Sequence, residues 1–302
     1  MVEWSDRFMM GIGDLDDDHQ KLFAISKKII NTVQEGGDNS SVRMFILREG
    51  IRYLRGYFDN HAKREEAYMR EIGYSDYVFH KRLHDEFQDI QLVKYENIIN
   101  QGGCSKEEIL DFVGLGIGWL LEHISTADMA IVGRGLLSQP RTPFVSKESM
   151  EQEINLLFAS TLNLDIHATV INTNYSGEYF GEAVYQQLIY NRDHREVVVM
   201  AGIEKKFLLY VAQLVYGEEM NEADALILST FEIFSANFWK TFASRFIVFS
   251  DGISYKENHF LSRKQLQDKF TQRQPPLSLL FDSEQGKFFV SSTDEFFHGL
   301  EL

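Results

Sequence analysis

The pattern of apolar and polar positions divides the chain into two parts with different periodicities. In the first part, apolar residues recur at intervals of three and four over residues 17–36, 41–69, 76–101 and 105–133. This spacing places them on one face of an α-helix. Short stretches with glycine or polar residues separate the four segments. The pattern predicts an all-α bundle of four helices that run up and down.

A break falls near residues 138–148, where Pro140 and Pro143 disfavour a continuous helix. The pattern after the break predicts helices over 149–163, 205–217 and 222–247, strands over 167–174 and 195–203, and a closing hairpin of 277–283 and 287–292. Strands mixed with helices indicate an α/β domain. We therefore expect two domains, a four-helix bundle over 1–137 and an α/β domain over 149–302, joined by a linker over 138–148.

Composition narrows the classes of function. The chain has 45 acidic and 30 basic residues and a formal net charge of −15, which repels phosphate backbones and argues against nucleic-acid binding. It has no run of 18 uninterrupted apolar residues and no signal-peptide pattern, so we expect no membrane span and a cytoplasmic protein. Because Cys104 is the only cysteine, a metal site in this chain must use nitrogen and oxygen ligands.

Ligand-type side chains are concentrated in the predicted bundle. Five of the nine histidines precede residue 124, and every predicted helix carries at least one: His19, His61, His80, His84 and His123. Glu65 follows His61 by four residues, which places both on one helical face, and His84 follows His80 in the same way. Asp128 follows His123 by five, a looser relation. A single histidine of this kind is usually a partly buried residue bonded to a carbonyl, but ligands on all four helices indicate a dinuclear metal site, for which iron suits mixed nitrogen and oxygen donors.

Residues 1–135 resemble a bacterial hemerythrin domain. The resemblance is carried by GIGDLDDDH, which ends at His19, by HAKRE and HKRLH, which begin at His61 and His80, and by HISTAD, which begins at His123. It implies two iron ions with an oxo or hydroxo bridge. By this resemblance, one iron is bound by His80, His84 and His123, the other by His19 and His61, and both by Glu65 and Asp128.

The same resemblance implies reversible binding of dioxygen at the iron with fewer histidines. Trp119, Leu120 and Ile124 match the positions that line the dioxygen pocket in the family, although each is equally consistent with ordinary bundle core. Glu66 lies about 100° around the helix from Glu65 and is predicted to be a solvated surface charge. The acidic run Asp14–Asp18 lacks the pattern of a calcium loop, so we expect it to cap the free amides of a helix N-terminus.

Residues 149–296 resemble the CheX-like domains of chemotaxis phosphatases in the order of their elements. In that family a long helix carries an acidic or serine residue, a glutamate four residues later that grips the response regulator, and an asparagine three further on that positions the attacking water. The corresponding residues here are Leu228, Glu232 and Ser235. Glu232 and Ser235 are therefore candidate regulator-binding residues, while the departures at Leu228 and Ser235 argue against phosphatase activity.

The same helix is rich in large apolar residues at helical spacing, namely Phe231, Phe234, Phe238, Trp239 and Phe242. Core packing is the expected role of this aromatic set. Because the CheX-like relatives pair, part of it could instead line a homodimer interface. The histidines outside the bundle, His167, His194, His259 and His298, have no paired spacing and are expected at the surface or at caps.

Three functions fit these features. The first is a sensor in which dioxygen or redox state at the di-iron site modulates a CheX-like output domain in chemotaxis or two-component signalling, with a response regulator or another chemotaxis protein as partner. The alternatives are an aspartyl-phosphate phosphatase regulated by dioxygen, and simple storage or delivery of dioxygen. A fused domain of about 150 residues has no evident use in storage, so the sequence favours the sensor.

Overall fold

The computed structural model of the chain describes residues 4–140, 146–192, 195–217, 220–246 and 253–292. The chain forms two compact units, Met1–Ser138 with Asp224–Ile233, and Gln139–Ala223 with Phe234–Leu302. Part of the expected linker, residues 141–145, lies outside the described residues, as do His194 and His298.

The first unit contains the four long helices that the sequence predicts, and three of them are interrupted by a π-helical segment. The elements are α1 Gly13–Gly36; α2 Ser40–Tyr57, the π segment Phe58–Ala62 and α3 Lys63–Glu71; α4 Tyr77–Glu86, the π segment Phe87–Gln91 and α5 Leu92–Gln101; and α6 Lys106–His123, the π segment Ile124–Asp128 and α7 Met129–Ile131. A π-helix closes i→i+5 hydrogen bonds, so each segment widens one helical turn. The sequence pattern did not predict these segments.

Side chains at the helix ends explain where the bundle helices begin and end. The Asn39 side chain accepts from the main-chain N–H groups of Ser41 and Val42 at the start of α2. Ser105 and Glu108 form a reciprocal capping box at the start of α6. Gly102, with φ of 80°, ends α5 in a left-handed conformation that suits glycine. These caps satisfy main-chain groups that a helix leaves unpaired at its ends.

Helix α6 is the most deeply buried helix of the first unit. By length and composition alone, the stretch Lys106–Ser138 would qualify as a membrane span among the described residues, because it contains an 18-residue window with a mean hydropathy of 1.2. Because 83% of that window is buried in the folded chain, the apolar composition is that of a core helix. Gly114 allows a close helix contact within this unit, since a Cβ there would lie 2.6 Å from Ser229 Cβ and 2.7 Å from the Thr230 main-chain nitrogen.

The second unit is an α/β domain, as the sequence predicts, with a six-stranded antiparallel sheet in the order β1-β5-β6-β3-β2-β4. Its elements are α8 Lys147–Leu162, β1 Thr169–Asn172, β2 Ala183–Arg192, β3 Arg195–Glu204, α9 Lys205–Tyr216, α10 Ala225–Ser244, β4 Ser254–Leu261, α11 Arg263–Gln272, β5 Leu277–Asp282 and β6 Phe288–Ser292. The first nine residues of α10 belong to the first unit.

Both faces of the sheet are covered by apolar side chains. On one face Met200 and Phe289 pack in a cluster with Leu266 and Phe270 of α11. On the other face the Tyr190 hydroxyl donates to the Ala236 carbonyl of α10 at 2.7 Å.

The aromatic set of α10 packs in the interior. Phe234, Phe238, Trp239 and Phe242 are buried and Phe231 is half-buried. The prediction of core packing is therefore confirmed for the four buried members, and pairing of the domain stays a prediction.

A buried ion pair ties the start of the second unit to its core. The Arg245 guanidinium lies 2.8 Å from Glu153 of α8, and both side chains are almost fully buried. The same guanidinium donates to the main-chain oxygens of Gln139 and Pro140. Each charge is thus compensated by its partner or by main-chain carbonyls.

Candidate metal centre

Seven side chains from all four long helices meet in the interior of the first unit. They are His19 of α1, His61 of the π segment after α2, Glu65 of α3, His80 and His84 of α4, His123 of α6, and Asp128 of the π segment after α6. None is more than 2% exposed. The structure thus brings together all of the residues that the sequence singles out as metal ligands.

The π segments explain how ligands at irregular spacing share one face. In a regular α-helix, residues five apart are separated by about 140° around the axis. The π segment Ile124–Asp128 closes its turn over five residues instead. Asp128 therefore returns to the face of His123, and the His123 Nε2 atom lies 3.0 Å from Asp128 Oδ1. The looser relation expected from the sequence becomes a direct contact.

The larger group of ligand atoms contains three imidazoles and two carboxylates. One ligand atom from each of Glu65, His80, His84, His123 and Asp128 lies within 4.8 Å of the others. The Nε2 atoms of His84 and His123 are 3.0 Å apart, and Glu65 Oε2 lies 3.1 Å from His80 Nε2. The arrangement provides mixed nitrogen and oxygen donors of the kind that hold a transition-metal ion.

The smaller group contains His19, His61 and Glu65. The Nε2 atoms of His19 and His61 are 3.2 Å apart, and His19 Nε2 also lies 3.2 Å from Asp128 Oδ2. Glu65 therefore belongs to both groups, and the two oxygens of Asp128 face one group each. Carboxylates placed in this way can bridge two metal ions.

Several buried polar atoms in this cluster have no hydrogen-bond partner among the described residues. They include Glu65 Oε1 and both carboxylate oxygens of Asp128, whose contacts with the imidazoles do not have hydrogen-bond geometry. Buried carboxylate oxygens that accept no hydrogen bond are unfavourable. Convergent, buried and unsatisfied nitrogen and oxygen donors fit bound cations, so the residues present suit a pair of metal ions.

The acid–base properties of the cluster also suit metal binding. Burial lowers the pKa of His61 and of His123 to about 4, which keeps both imidazoles in the neutral form that binds a metal. Burial opposes the charged form of His80 as well, but Glu65 and Asp128 outweigh it and raise the His80 pKa to about 10. The metal-free cluster therefore holds a proton on His80, and a bound cation would displace that proton.

Two further carboxylates lie next to the Nδ1 atoms of two of the imidazoles. Asp18 Oδ2 lies 3.4 Å from His61 Nδ1 and also pairs with Arg64. Glu66 Oε1 lies 3.4 Å from His84 Nδ1, and its hydrogen bond with His84 lowers the Glu66 pKa. The prediction that Glu66 is a solvated surface charge is wrong, because its side chain is only 13% exposed. Carboxylates in such positions orient metal-binding imidazoles.

Aromatic side chains cover the cluster on both sides. Trp119 stacks on His123 with ring centroids 4.3 Å apart, and Leu120 and Ile124 are buried beside it on the same helix. Tyr57 stacks on His61 with centroids 4.4 Å apart, a contact that the sequence reasoning missed. The four-residue spacing between Tyr57 and His61 could have indicated this contact, because residues four apart lie on one face of a helix. These rings keep water away from the ligand atoms.

Asp16, the buried member of the acidic run, accepts hydrogen bonds from the main-chain nitrogens of Met10 and Gly11 at 2.7 and 2.9 Å. Its carboxylate therefore orders the segment that precedes α1. The N-cap residue of α1, Ile12, has no side-chain cap, so the expected capping of the helix N-terminus by the acidic run is not found.

The candidate regulator-binding residues of α10 differ in their surroundings. Glu232 and Leu228 are half-buried. Ser235 is buried, and its hydroxyl donates to Gln186 Oε1 of β2 at 2.7 Å. Strand β2 was not predicted, so this partner of Ser235 was not foreseen. The other described histidines, His167 and His259, are exposed, as the sequence predicts.

Comparison with known protein families matches residues 10–134 to the hemerythrin HHE cation binding domain. A bacteriohemerythrin of Clostridium acetobutylicum is 32% identical over 131 residues, which cover 42% of this chain and 96% of that protein. Myohemerythrin-1 of Phascolopsis gouldii is 26% identical over 131 residues, which cover 43% of this chain and 92% of that protein.

Comparison with solved structures finds several chains that align over about half of this chain. The chemotaxis protein CheX of Vibrio vulnificus aligns over 47% of this chain and 94% of that chain, with 9% identity and a TM-score of 0.32. FliY of Thermotoga maritima aligns over 51% of this chain and 96% of that chain, with 18% identity and a TM-score of 0.34.

Proposed function

Because the chain belongs to the hemerythrin family through residues 10–134, we propose that its first unit holds two iron ions, binds dioxygen reversibly and thereby controls a signalling output of the second unit. The observation that carries the proposal is the convergence of seven buried ligands in two overlapping groups that share a carboxylate. The family match and the ligand set support the same pair of ions, and the identity of the metal as iron is part of the proposal.

The two groups differ in the number of imidazoles they supply. His80, His84 and His123 would hold one ion, while His19 and His61 would hold the other. Glu65 and Asp128 would connect the two. Iron bound in this way would supply reversible dioxygen binding at the coordination position that the two-histidine side leaves open.

The surrounding side chains favour binding over further chemistry. Trp119 and Ile124 exclude water on the side of His123, and Tyr57 covers the face of His61. Glu66 holds the His84 ring through a hydrogen bond to Nδ1, and the Asp18 carboxylate lies 3.4 Å from His61 Nδ1. Buried ligand atoms that are covered by aromatic rings are less accessible to water and to other reactants.

We propose a response regulator of chemotaxis or two-component signalling as the partner of the second unit, on the strength of the order of its elements. The hydroxyl of Ser235 is engaged by Gln186 in the interior, which leaves it unable to position a water at a surface site. Hydrolysis of an aspartyl phosphate needs such a positioned water. The proposed output is therefore binding of a regulator rather than its dephosphorylation.

The first part of the proposal is tested by oxygen titration of the full-length protein. After anaerobic reduction, addition of dioxygen should produce an absorbance change that reverses when dioxygen is removed, over repeated cycles. The His61→Ala variant is the control and should lose the reversible change. An irreversible oxidation in the first cycle would contradict reversible binding.

The second part is tested with phosphorylated response regulators from the same cell. We expect one of them to bind the reduced and the oxygenated protein with different affinity, and its phosphate release to stay at the uncatalysed rate. Equal affinity in both states would contradict the coupling. Accelerated phosphate release would favour the phosphatase alternative.

A further inference from the structure

A long groove runs between α1 and the helix formed by α2, the following π segment and α3. Its volume is about 750 Å³, and it lies entirely within the first unit. One end is lined by Thr32 and Phe45, and the other by Asp18 and His61. Residues 18 and 32 of α1 are separated by 14 positions, so the groove is about 21 Å long at 1.5 Å per residue.

The floor of the groove is apolar. Ile25 and Ile29 of α1 are half-buried and face Tyr53 and Tyr57 across it. Phe45 lies at the open end and is 62% exposed. Apolar side chains that stay accessible along a groove favour an elongated apolar ligand, because its burial removes their surface from water.

The rim of the groove is cationic, although the chain as a whole has a net charge of −15. Its charged residues are the four bases Lys21, Lys28, Arg52 and Arg64 and the two acids Asp18 and Glu49. Asp18 pairs with Lys21 and with Arg64. Lys28 has no acidic partner among the described residues. The rim therefore carries a local positive charge that suits an anion.

Lys28 and Arg52 lie at about the same position along the length of the groove. The two helices bring His19 beside His61, and each of the two bases is nine residues from the histidine on its own helix. Nine residues of helix span about 13 Å. Arg52 pairs with Glu49 in a solvent-exposed contact within one helix. Such a contact contributes little, so Arg52 can readily exchange partners.

We propose that this groove binds a linear fatty acid, with its carboxylate between Lys28 and Arg52 and its alkyl chain along Ile25 and Tyr53 toward Tyr57. The occupant follows from charge complementarity at the rim and from the long apolar floor. The groove is separate from the candidate metal ligands except at its far end, which is lined by His61.

Gly56 offers a way to close the groove without disturbing the bundle. It lines the groove in the last turn of α2, and a Cβ built on it meets no atom within 4 Å. A glycine inside a helix costs about 1 kcal/mol relative to alanine. Because glycine has no side chain, this position leaves space next to Tyr53 and Tyr57. A leucine at this position would occupy that space.

The proposal is tested by isothermal titration calorimetry of the full-length protein with decanoate and dodecanoate. We expect one site per chain, with dodecanoate tighter than decanoate because it buries two more methylene groups. Acetate lacks the alkyl chain and 1-decanol lacks the charge. Both should bind at least about tenfold more weakly than decanoate. Equal binding of 1-decanol and decanoate would overturn the role of Lys28 and Arg52.

Variants locate the site. Lys28→Gln combined with Arg52→Gln should weaken dodecanoate about tenfold or more, and Gly56→Leu should abolish its binding. The matched controls are Arg48→Gln, an exposed base of α2 outside the groove, and Gly56→Ala, which leaves the groove nearly open. Circular dichroism should show unchanged helix content in all four.

Other occupants predict different results. Unchanged dodecanoate binding in Gly56→Leu would overturn the proposal. A second result would also overturn it: the parent protein binds no fatty acid but forms a concentration-dependent dimer, and Gly56→Leu loses that dimer. The groove would then be covered by a second copy of the chain. Sedimentation velocity of the parent and of Gly56→Leu distinguishes that case.

Discussion

The two units of the chain differ in how their buried charges are compensated. In the second unit Arg245 pairs with the carboxylate of Glu153 and also donates to main-chain oxygens. In the first unit Glu65, Asp128 and five imidazoles face one another, and several of their atoms have no hydrogen-bond partner among the described residues. The first arrangement is complete within the protein, whereas the second needs a ligand to compensate it. This contrast identifies the functional site without reference to any relative.

Loss of one ligand should have the largest effect. His123→Ala removes a metal donor and leaves Asp128 without its closest imidazole, so we expect loss of most of the bound iron and destabilisation by about 3–5 kcal/mol. Iron analysis and thermal unfolding measure both effects. A variant that keeps its iron would contradict the assignment of His123 as a ligand.

The ion pair of the second unit should behave differently from the metal cluster. Arg245→Met leaves Glu153 buried without its main partner and should cost about 3 kcal/mol, while the double change Arg245→Met with Glu153→Leu should recover most of that loss. Urea unfolding of the two variants makes the comparison, and neither should lose iron. If the double variant were as unstable as Arg245→Met, the expectation that apolar residues can replace this ion pair would be contradicted.

The close helix contact at Gly114 should give a smaller effect. An alanine there meets Ser229 and the main chain of Thr230, so Gly114→Ala should destabilise the first unit by about 1–3 kcal/mol. Gly116, two residues later on α6, is the matched control, because a Cβ at that position would meet no atom within 4 Å. Gly116→Ala should be stabilising by up to about 1 kcal/mol. Equal unfolding midpoints for the two variants would contradict the contact.

The carboxylate behind His84 should have the smallest effect. Glu66→Gln keeps the size of the side chain and removes its charge, so we expect iron affinity to fall about tenfold while the stability of the metal-free protein changes little. Competition with a chelator measures the affinity. Glu71→Gln, an exposed acid of the same helix, is the control and should leave it unchanged.

The sequence predicted the bundle well because its periodicity is strong over long segments. It also singled out every residue of the buried cluster, from the four-residue spacing of His61 with Glu65 and of His80 with His84 and from the family motifs. The π segments could not be predicted, because a widened turn leaves the pattern of apolar positions almost unchanged. They determine how His123 and Asp128 share a face, and so the geometry of the site had to come from the structure.

Prediction was weaker in the second unit for a physical reason. Strand β4 pairs with β2 at the edge of the sheet and exposes polar residues, so it lacks an apolar signal. Helix α11 buries only Leu266 and Phe270. Strand β2 carries Gln186 on a buried position, where it accepts from Ser235. Tertiary contacts rather than local pattern define these three elements.

The central claim is that the buried cluster of the first unit holds two iron ions, and metal analysis of the full-length protein tests it most directly. After aerobic purification, elemental analysis should return two irons per chain, together with a charge-transfer absorbance band in the near-ultraviolet to visible range. A single zinc per chain, or a folded protein without metal, would contradict the claim.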